Sequence, residues 1–183
     1  KTSVTYPLMK IEDELIECNN WNLVLGTLSL TTNNAKNYLQ TLAFVRVIGY
    51  MISDGGIYYN NQRKNYKGVI NLGHMIDVNN IIQDISMFCE IKQKKFLYKN
   101  YYFIRIPDEL LYSIIKIKGI AIGSKIKQPA QLPEFILDPS CPKPIIREFL
   151  GGLFGADGHT CVLGMHRGKR DLLSSISFSK TKT

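Results

Sequence analysis

The chain has 183 residues, with 23 Lys and Arg residues against 15 Asp and Glu, so its formal net charge is +8 and its isoelectric point lies near 9.3. Hydrophobic residues make up 45% and charged residues 21%, which excludes a disordered chain, and no apolar run reaches the ~20 residues of a membrane span. The positive charge favours a polyanionic partner, nucleic acid before membrane, because no basic amphipathic helix stands out.

The four cysteines and three histidines are widely spaced and do not form a zinc-binding pattern. Isolated cysteines of this kind are typical of reduced thiols, which predicts an intracellular protein. The bias toward Asn, Ile, Lys and Tyr is typical of an AT-rich genome. We therefore expect an organelle (mitochondrion or chloroplast), or the nucleus or cytoplasm of an AT-rich host, as the location.

The N-terminal segment, residues 1–33, contains the helical stretch IEDELIE and the strand-like stretch NLVLGTLSLTT. It is predicted to be an N-terminal appendage or linker. From Ala35 the chain predicts a helix that is apolar nearly all the way round, with Asn34 as its N-cap, so this helix should be buried on more than one side. The helix is predicted to end at Asp54.

Two hairpins and two more helices follow. The stretches GGIYYN and GVINLGH predict a hairpin around the basic turn NQRKNYK, and KKFLY with YYFIRIP predicts another about Lys99 and Asn100. Helices are predicted within HMIDVNNIIQDISMFCE and, after Pro107, within PDELLYSIIKIKG. Residues 34–119 are thus predicted to be one unit in the order helix, hairpin, helix, hairpin, helix.

The pattern then restarts. Residues 120–142 are predicted to be a connector with four prolines, and residues 143–183 the start of a second unit. Pro144 lies at the first turn of the helical stretch IIREFLGGLFGADG, and strand-like HTCVLGM and LLSSISFS flank the basic turn HRGKRD. The chain therefore predicts a tandem duplication whose second half is short.

Each of these two units carries an apolar helix with small residues on one face and a terminal Asp-Gly. The small residues are Gly49 and Ser53 in the first helix and Gly151, Gly152, Gly155 and Ala156 in the second. The two aspartates, Asp54 and Asp157, lie 103 residues apart. Small residues let helix backbones approach closely, so packing through these faces would bring the two carboxylates together. Two neighbouring carboxylates at helix C-termini repel each other unless a cation is present, and oxygen ligands suit Mg²⁺. Paired carboxylates on a basic chain therefore predict a metal-dependent nuclease.

The motifs VIGYMISDG (47–55) and LGGLFGADG (150–158) resemble the signature of the LAGLIDADG homing endonucleases. The stretch LPEFIL followed by REFLGGLFGADG resembles the subgroup found in inteins and intron-encoded enzymes. The resemblance covers residues ~35–183. It implies a tandem αββαββα fold with pseudo-twofold symmetry, in which antiparallel sheets form a DNA-binding saddle.

The resemblance also implies hydrolysis of both strands of a long, asymmetric DNA site. It assigns Asp54 and Asp157 to catalysis and metal binding, and Gly55 and Gly158 to the metal site through their backbone. Mg²⁺ is the expected cofactor, Mn²⁺ a substitute, and Ca²⁺ an ion that binds without supporting cleavage. Family members often carry a catalytic lysine where this chain has Ala130, so the role passes to Lys127 or, alternatively, to Lys125.

Basic and amide-bearing residues of the hairpins are the predicted contacts to double-stranded DNA, because Arg, Asn and Gln read purine edges while Lys neutralises phosphate. The predicted DNA-binding residues are Tyr58, Asn60, Gln62, Arg63, Lys64, Lys67, Asn71, Lys94, Lys95, Arg105, His166, Arg167, Lys169 and Arg170. Tyr101 belongs to the same argument with less weight.

Two features favour an alternative function. The usual lysine position is not occupied by lysine, and only 26 residues follow Asp157, so a second polypeptide or a further segment is expected to complete the second unit. A nucleic-acid-binding protein on the same scaffold, either an RNA-splicing maturase or a DNA-binding regulator, is therefore the second hypothesis. The two retained acids favour the endonuclease, since a pure binder gains nothing from carboxylates beside phosphate.

Overall fold

The computed structural model describes residues 11–90, 96–98, 101–129, 132–166 and 169–176. Its helices are α1 (Ile11–Cys18), α2 (Ala35–Ser53), α3 (Met75–Ser86), α4 (Asp108–Ile114), α5 (Glu134–Leu137) and α6 (Lys143–Asp157), with a 3-10 turn at Lys125–Lys127. Its strands are β1 (Asn22–Leu25), β2 (Leu28–Thr31), β3 (Gly55–Asn60), β4 (Asn65–Leu72), β5 (Phe96–Tyr98), β6 (Tyr101–Ile106), β7 (Gly158–His166) and β8 (Lys169–Ile176). The chain is a mixed α+β protein with antiparallel sheets, as predicted. Among the described helices, none is long and apolar enough to cross a membrane.

Helix α2 is the centre of the core. Asn34 caps it as predicted, because the Asn34 side-chain oxygen accepts a hydrogen bond of 2.9 Å from the backbone N–H of Asn37. Ala43, Phe44 and Val45 are all fully buried, and three consecutive residues point in three different directions around a helix. The prediction that α2 is buried on more than one side is therefore confirmed.

Strands β3 to β6 form one antiparallel sheet in the order β3-β4-β6-β5, which confirms both predicted hairpins of the first unit. The predicted turn NQRKNYK was too long. Asn60 pairs with Asn65 across the hairpin, and Lys64 takes a left-handed φ of 50° that closes the turn. The turn is therefore residues 61–64, and the three residues after it belong to strand β4.

Residues 11–33, the predicted appendage or linker, pack on the core. Helix α1 and the hairpin β1-β2 contribute the buried Cys18, Leu25 and Leu30. Glu14 of α1 joins the two motif helices, because it accepts hydrogen bonds from Tyr38 Oη of α2 (2.5 Å) and from Arg147 Nη2 of α6 (2.6 Å). Burial raises the pKa of the Glu14 carboxyl, but its two donors outweigh this and hold the pKa below the ordinary value.

The second unit begins as predicted with α6, whose first turn contains Pro144, and continues with the antiparallel pair β7-β8. The predicted turn HRGKRD was again too long, because His166 pairs with Lys169 and Met165 pairs with Arg170. His166, Lys169 and Arg170 are therefore strand residues, and His166 and Lys169 form the last pair before the turn.

Candidate functional site

The two motif helices cross through their predicted small faces. A Cβ atom added to Gly49 would lie 2.5 Å from the carbonyl oxygen of Phe149, and one added to Gly152 would overlap the carbonyl of Arg46. Gly49 and Gly152 are 103 residues apart, and so are Arg46 and Phe149. The crossing is therefore pseudo-twofold, because each glycine lies on the equivalent carbonyl of the other helix.

The small residues of α6 do not all share this role. An added Cβ at Gly155 would lie 2.5 Å from Tyr50 Oη, whereas at Gly151 it would meet nothing within 4 Å. Gly151 is exposed, about 100° around the helix from Gly152. Of the predicted small residues of α6, Gly152 and Gly155 therefore contact α2, whereas Gly151 faces solvent.

The crossing also defines where the two helices end. Arg46 donates a hydrogen bond to Glu148 and, further along both helices, Tyr50 lies against Gly155, so α2 and α6 run in the same direction. Asp54 and Asp157 each lie five residues after the crossing glycine, which is about 7.5 Å along each helix axis. Both acidic ends therefore lie on the same side of the crossing.

Asp54 is held by its backbone at the junction between α2 and the sheet. It is the C-cap residue of α2, its N–H donates to the carbonyl of Tyr50 (3.1 Å), and its own carbonyl accepts from the backbone N–H (3.1 Å) and the side chain (3.2 Å) of Asn71. The residue is half-buried. Asn71, a predicted DNA contact on β4, thus links the sheet surface to the end of the motif helix.

Lys125 lies against the end of α2, although sequence reasoning preferred Lys127 as the catalytic lysine. The Lys125 ammonium donates to the carbonyl oxygens of Met51 (3.0 Å), Ile52 (2.7 Å) and Ser53 (2.8 Å). Lys127 is exposed. The connector therefore places the ammonium of Lys125, rather than that of Lys127, at the C-terminal end of α2.

The glycine after each aspartate begins a strand. Gly55 pairs with Ile70, and a Cβ atom on Gly55 would lie 2.6 Å from the Cα and 2.8 Å from the carbonyl oxygen of Met51. The tight passage from α2 into β3 therefore requires a residue without a side chain. Gly158 occupies the corresponding position at the start of β7, where it pairs with Ile176.

Five predicted DNA contacts share one face of the four-stranded sheet. Alternation along the strands places Ile57, Ile70 and Ile104 in the core. The intervening positions form the outer face, and the predicted contacts on it are Tyr58, Asn60, Lys67, Asn71 and Arg105. Gln62, Arg63 and Lys64 form the exposed turn at the end of the same hairpin. Lys94, Lys95 and Arg167 lie outside the described residues.

The outer face differs from the prediction in two respects. The Lys67 ammonium pairs with the carboxylate of Asp108 at 3.0 Å, so its charge is partly neutralised. The face also includes Val69 of β4 and Tyr101 and Phe103 of β6. Tyr101 was considered from the sequence, whereas Val69 and Phe103 were not. Period-two spacing, of Val69 with Lys67 and Asn71 and of Phe103 with Arg105, would have identified both.

An ion-pair network centred on Arg46 joins the two motif helices to α3, and it was not predicted from the sequence. Arg46 donates two hydrogen bonds of 2.8 Å to Asp84 of α3 and one of 2.5 Å to Glu148 of α6. The hydrogen bonds with Asp84, opposed by burial, raise the pKa of Arg46. Burial, together with nearby carboxylates such as Asp77 and Asp84, raises the pKa of Tyr50. Arg46 therefore ties both motif helices to α3.

The donor set at the helix ends suits a hard cation. The carboxylate of Asp54 and the final carbonyls of α2 supply oxygen, the ligand type that Mg²⁺ prefers, whereas the side chain of Asp157 lies outside the described part of the structure. The ammonium of Lys125 already binds three of these carbonyls, so the position accepts positive charge. Within the described residues, no cluster of three or more His, Cys, Asp or Glu side chains is grouped for metal binding. A cation here would therefore rely on backbone, water or phosphate oxygens in addition to carboxylate oxygen.

In comparisons with known proteins, no family model and no curated protein matched this chain.

Proposed function

We propose that this protein is a site-specific, double-strand DNA endonuclease of the LAGLIDADG type. The observation that carries the proposal is the pseudo-twofold helix crossing at Gly49 and Gly152, with Asp54 and Asp157 equally far beyond it on the same side. A twofold arrangement suits cleavage of two antiparallel strands, because each acidic end can serve one strand. The net charge of +8 supports a polyanionic substrate.

In this proposal Asp54 and Asp157 hold the divalent cation, Mg²⁺ or Mn²⁺, close to the scissile phosphates. When bound, a divalent ion supplies Lewis-acid activation of a phosphate oxygen and of water. The backbone contacts of Asp54 with Tyr50 and Asn71 fix the position of its Cα. The outer face of the sheet lies on the DNA, and Arg105, Asn60 and Asn71 contact base edges or phosphates.

The decisive experiment is cleavage of a randomised duplex library, with sequencing of the ends, in Mg²⁺, Ca²⁺ or EDTA. We expect a recurrent long site cut with a stagger in Mg²⁺ only. Asp54→Asn and Asp157→Asn should each abolish cleavage but retain binding in Ca²⁺. Glu134→Gln is the matched control, because Glu134 is an exposed carboxylate that pairs across the surface with Lys118. Full cleavage by either aspartate variant would refute the assignment.

A binding experiment tests the DNA face. Affinity should fall with salt, with a slope of about −0.9 for each phosphate contacted. Arg63→Ala, at the exposed hairpin turn, should reduce the slope by about 0.9. Lys67→Ala should reduce it less, because Asp108 already neutralises part of the Lys67 charge. Salt-independent binding would contradict a DNA surface built from these residues.

One observation favours a binding protein on this scaffold, either a maturase or a regulator. Lys125, the lysine at the end of α2, has its ammonium engaged by three backbone carbonyls. That engagement suits a structural role better than proton transfer. Library binding without cutting in Mg²⁺ would support this second function, and structured RNA would then be the next ligand tested.

A further inference from the structure

The C-terminal end of α2 is capped by a side chain from the distant connector. The last carbonyls of a helix have no partner within the helix and carry partial negative charge. Lys125 Nζ contacts the carbonyl oxygens of Met51, Ile52 and Ser53 within 3.0 Å. One ammonium therefore satisfies three consecutive carbonyls immediately before Asp54.

The segment that carries Lys125 is itself anchored. The backbone N–H of Gly123 donates to the carbonyl of Ile57 on β3 (2.7 Å), and the side chain of Gln128 donates to the carbonyls of Ile122 (2.8 Å) and Ser124 (3.2 Å). Gly123 has a φ of +91°, which favours glycine. The loop is thus folded onto the strand that follows Asp54, so the ammonium is held in place.

The negative charge at the C-terminal end of α2 explains why a cation there stabilises the fold. The α2 end adds partial negative charge to the carboxylate of Asp54, and the parallel α6 brings a second acidic end to the same side of the crossing. Like charges held together oppose folding unless they are compensated. Lys125 supplies one positive charge that does not depend on a dissolved ion.

We propose that Lys125 is a built-in counter-cation, a positioning residue that stabilises the acidic end of α2 in the absence of divalent metal and weakens the binding of that metal by charge repulsion. The proposal rests on the proposed function, because it takes the acidic ends as the metal site. Lys125 acts through the α2 carbonyls and Asp54, whereas Lys127, exposed two residues later, has no such position.

The test compares Lys125→Met with Lys127→Met and with the charge-conserving Lys125→Arg. Thermal unfolding is measured in EDTA and along a Ca²⁺ titration, without DNA. We expect Lys125→Met to lower the melting temperature in EDTA by several degrees and to bind Ca²⁺ roughly three- to tenfold more tightly than the parent. Lys127→Met should match the parent, and Lys125→Arg should retain most of the stability and the weaker Ca²⁺ binding.

A suppressor variant separates electrostatics from simple loss of packing. If Lys125 compensates charge, adding Asp54→Asn to Lys125→Met should restore part of the lost melting temperature, and this double variant can be measured even if the single variant is unfolded. No restoration, or equal Ca²⁺ affinity in Lys125→Met and the parent, would overturn the proposal. If Ca²⁺ does not stabilise the parent, or stabilises Asp54→Asn equally, the metal site of the proposed function fails instead.

Discussion

The helix crossing makes a sharp prediction for two neighbouring glycines of α6. Gly152→Ala adds a methyl group no more than 3.1 Å from three backbone atoms of Arg46, namely its O, C and Cα. Backbone atoms cannot rotate away as a side chain can, so α2 and α6 must separate. Gly151→Ala is the matched control, because a methyl group there meets nothing within 4 Å.

The two substitutions should change stability in opposite directions. Overpacking costs typically about 1–3 kcal/mol, and contact with backbone puts Gly152→Ala at the upper end of that range. Alanine has a helix propensity about 1 kcal/mol more favourable than that of glycine. Gly152→Ala should therefore lower the free energy of unfolding by about 2 kcal/mol, whereas Gly151→Ala should raise it by about 0.5–1 kcal/mol. For a chain of this length the difference corresponds to roughly 5–10 °C in melting temperature.

Thermal and urea unfolding followed by circular dichroism would measure both variants, and DNA cleavage would be assayed alongside. We expect Gly152→Ala to lose cleavage as well as stability, since separating the helices displaces their acidic ends, and Gly151→Ala to keep both. Equal melting temperatures for the two variants would refute the close crossing. A stable Gly152→Ala variant would do the same.

Two further predictions concern charged groups that join the helices. Arg46→Met should destabilise the protein by about 3 kcal/mol, because it removes the partner of the carboxylate of Asp84, a residue that is only 7% exposed. In urea unfolding, the double variant with Asp84→Asn should regain part of this loss, and additive losses would contradict the pairing. The pKa of Glu14 is held below its ordinary value of 4.5 by its two hydrogen-bond donors, against the opposing effect of burial. Its stabilising contribution is therefore complete above the unfolded-state pKa and is lost as the pH falls through the lower folded-state pKa. Glu14→Gln should flatten this acid-side dependence in urea unfolding between pH 7 and pH 3, whereas Glu12→Gln, at an exposed residue, should not.

Local sequence signals predicted most of the secondary structure of this chain. Three predictions were confirmed, namely Asn34 as the cap of α2, Pro144 at the first turn of α6 and the paired strands around each basic turn. Each depends on residues close in sequence, where capping, φ restriction and alternation act. The turn lengths were wrong, because the strand pairing of Asn65 and of Lys169 outweighs their polar character.

Contacts between distant residues were harder to predict. The hydrogen bonds of Arg46 with Asp84 and Glu148 join three helices, and no local pattern marks them. The hydrogen bond from Tyr38 to Glu14 was not predicted for the same reason. A buried ion pair depends on three-dimensional proximity, which periodicity does not encode.

The sequence by itself determined the two copies of the motif, the small residues of the two motif helices and the acidic residue at each helix end, because repeats and helical spacing can be read along one chain. Only the tertiary structure decided that Gly49 and Gly152 lie on equivalent carbonyls while Gly151 faces solvent. It also decided that Lys125 reaches the end of α2. The direction of a side chain in an irregular connector depends on what the folded chain places beside it.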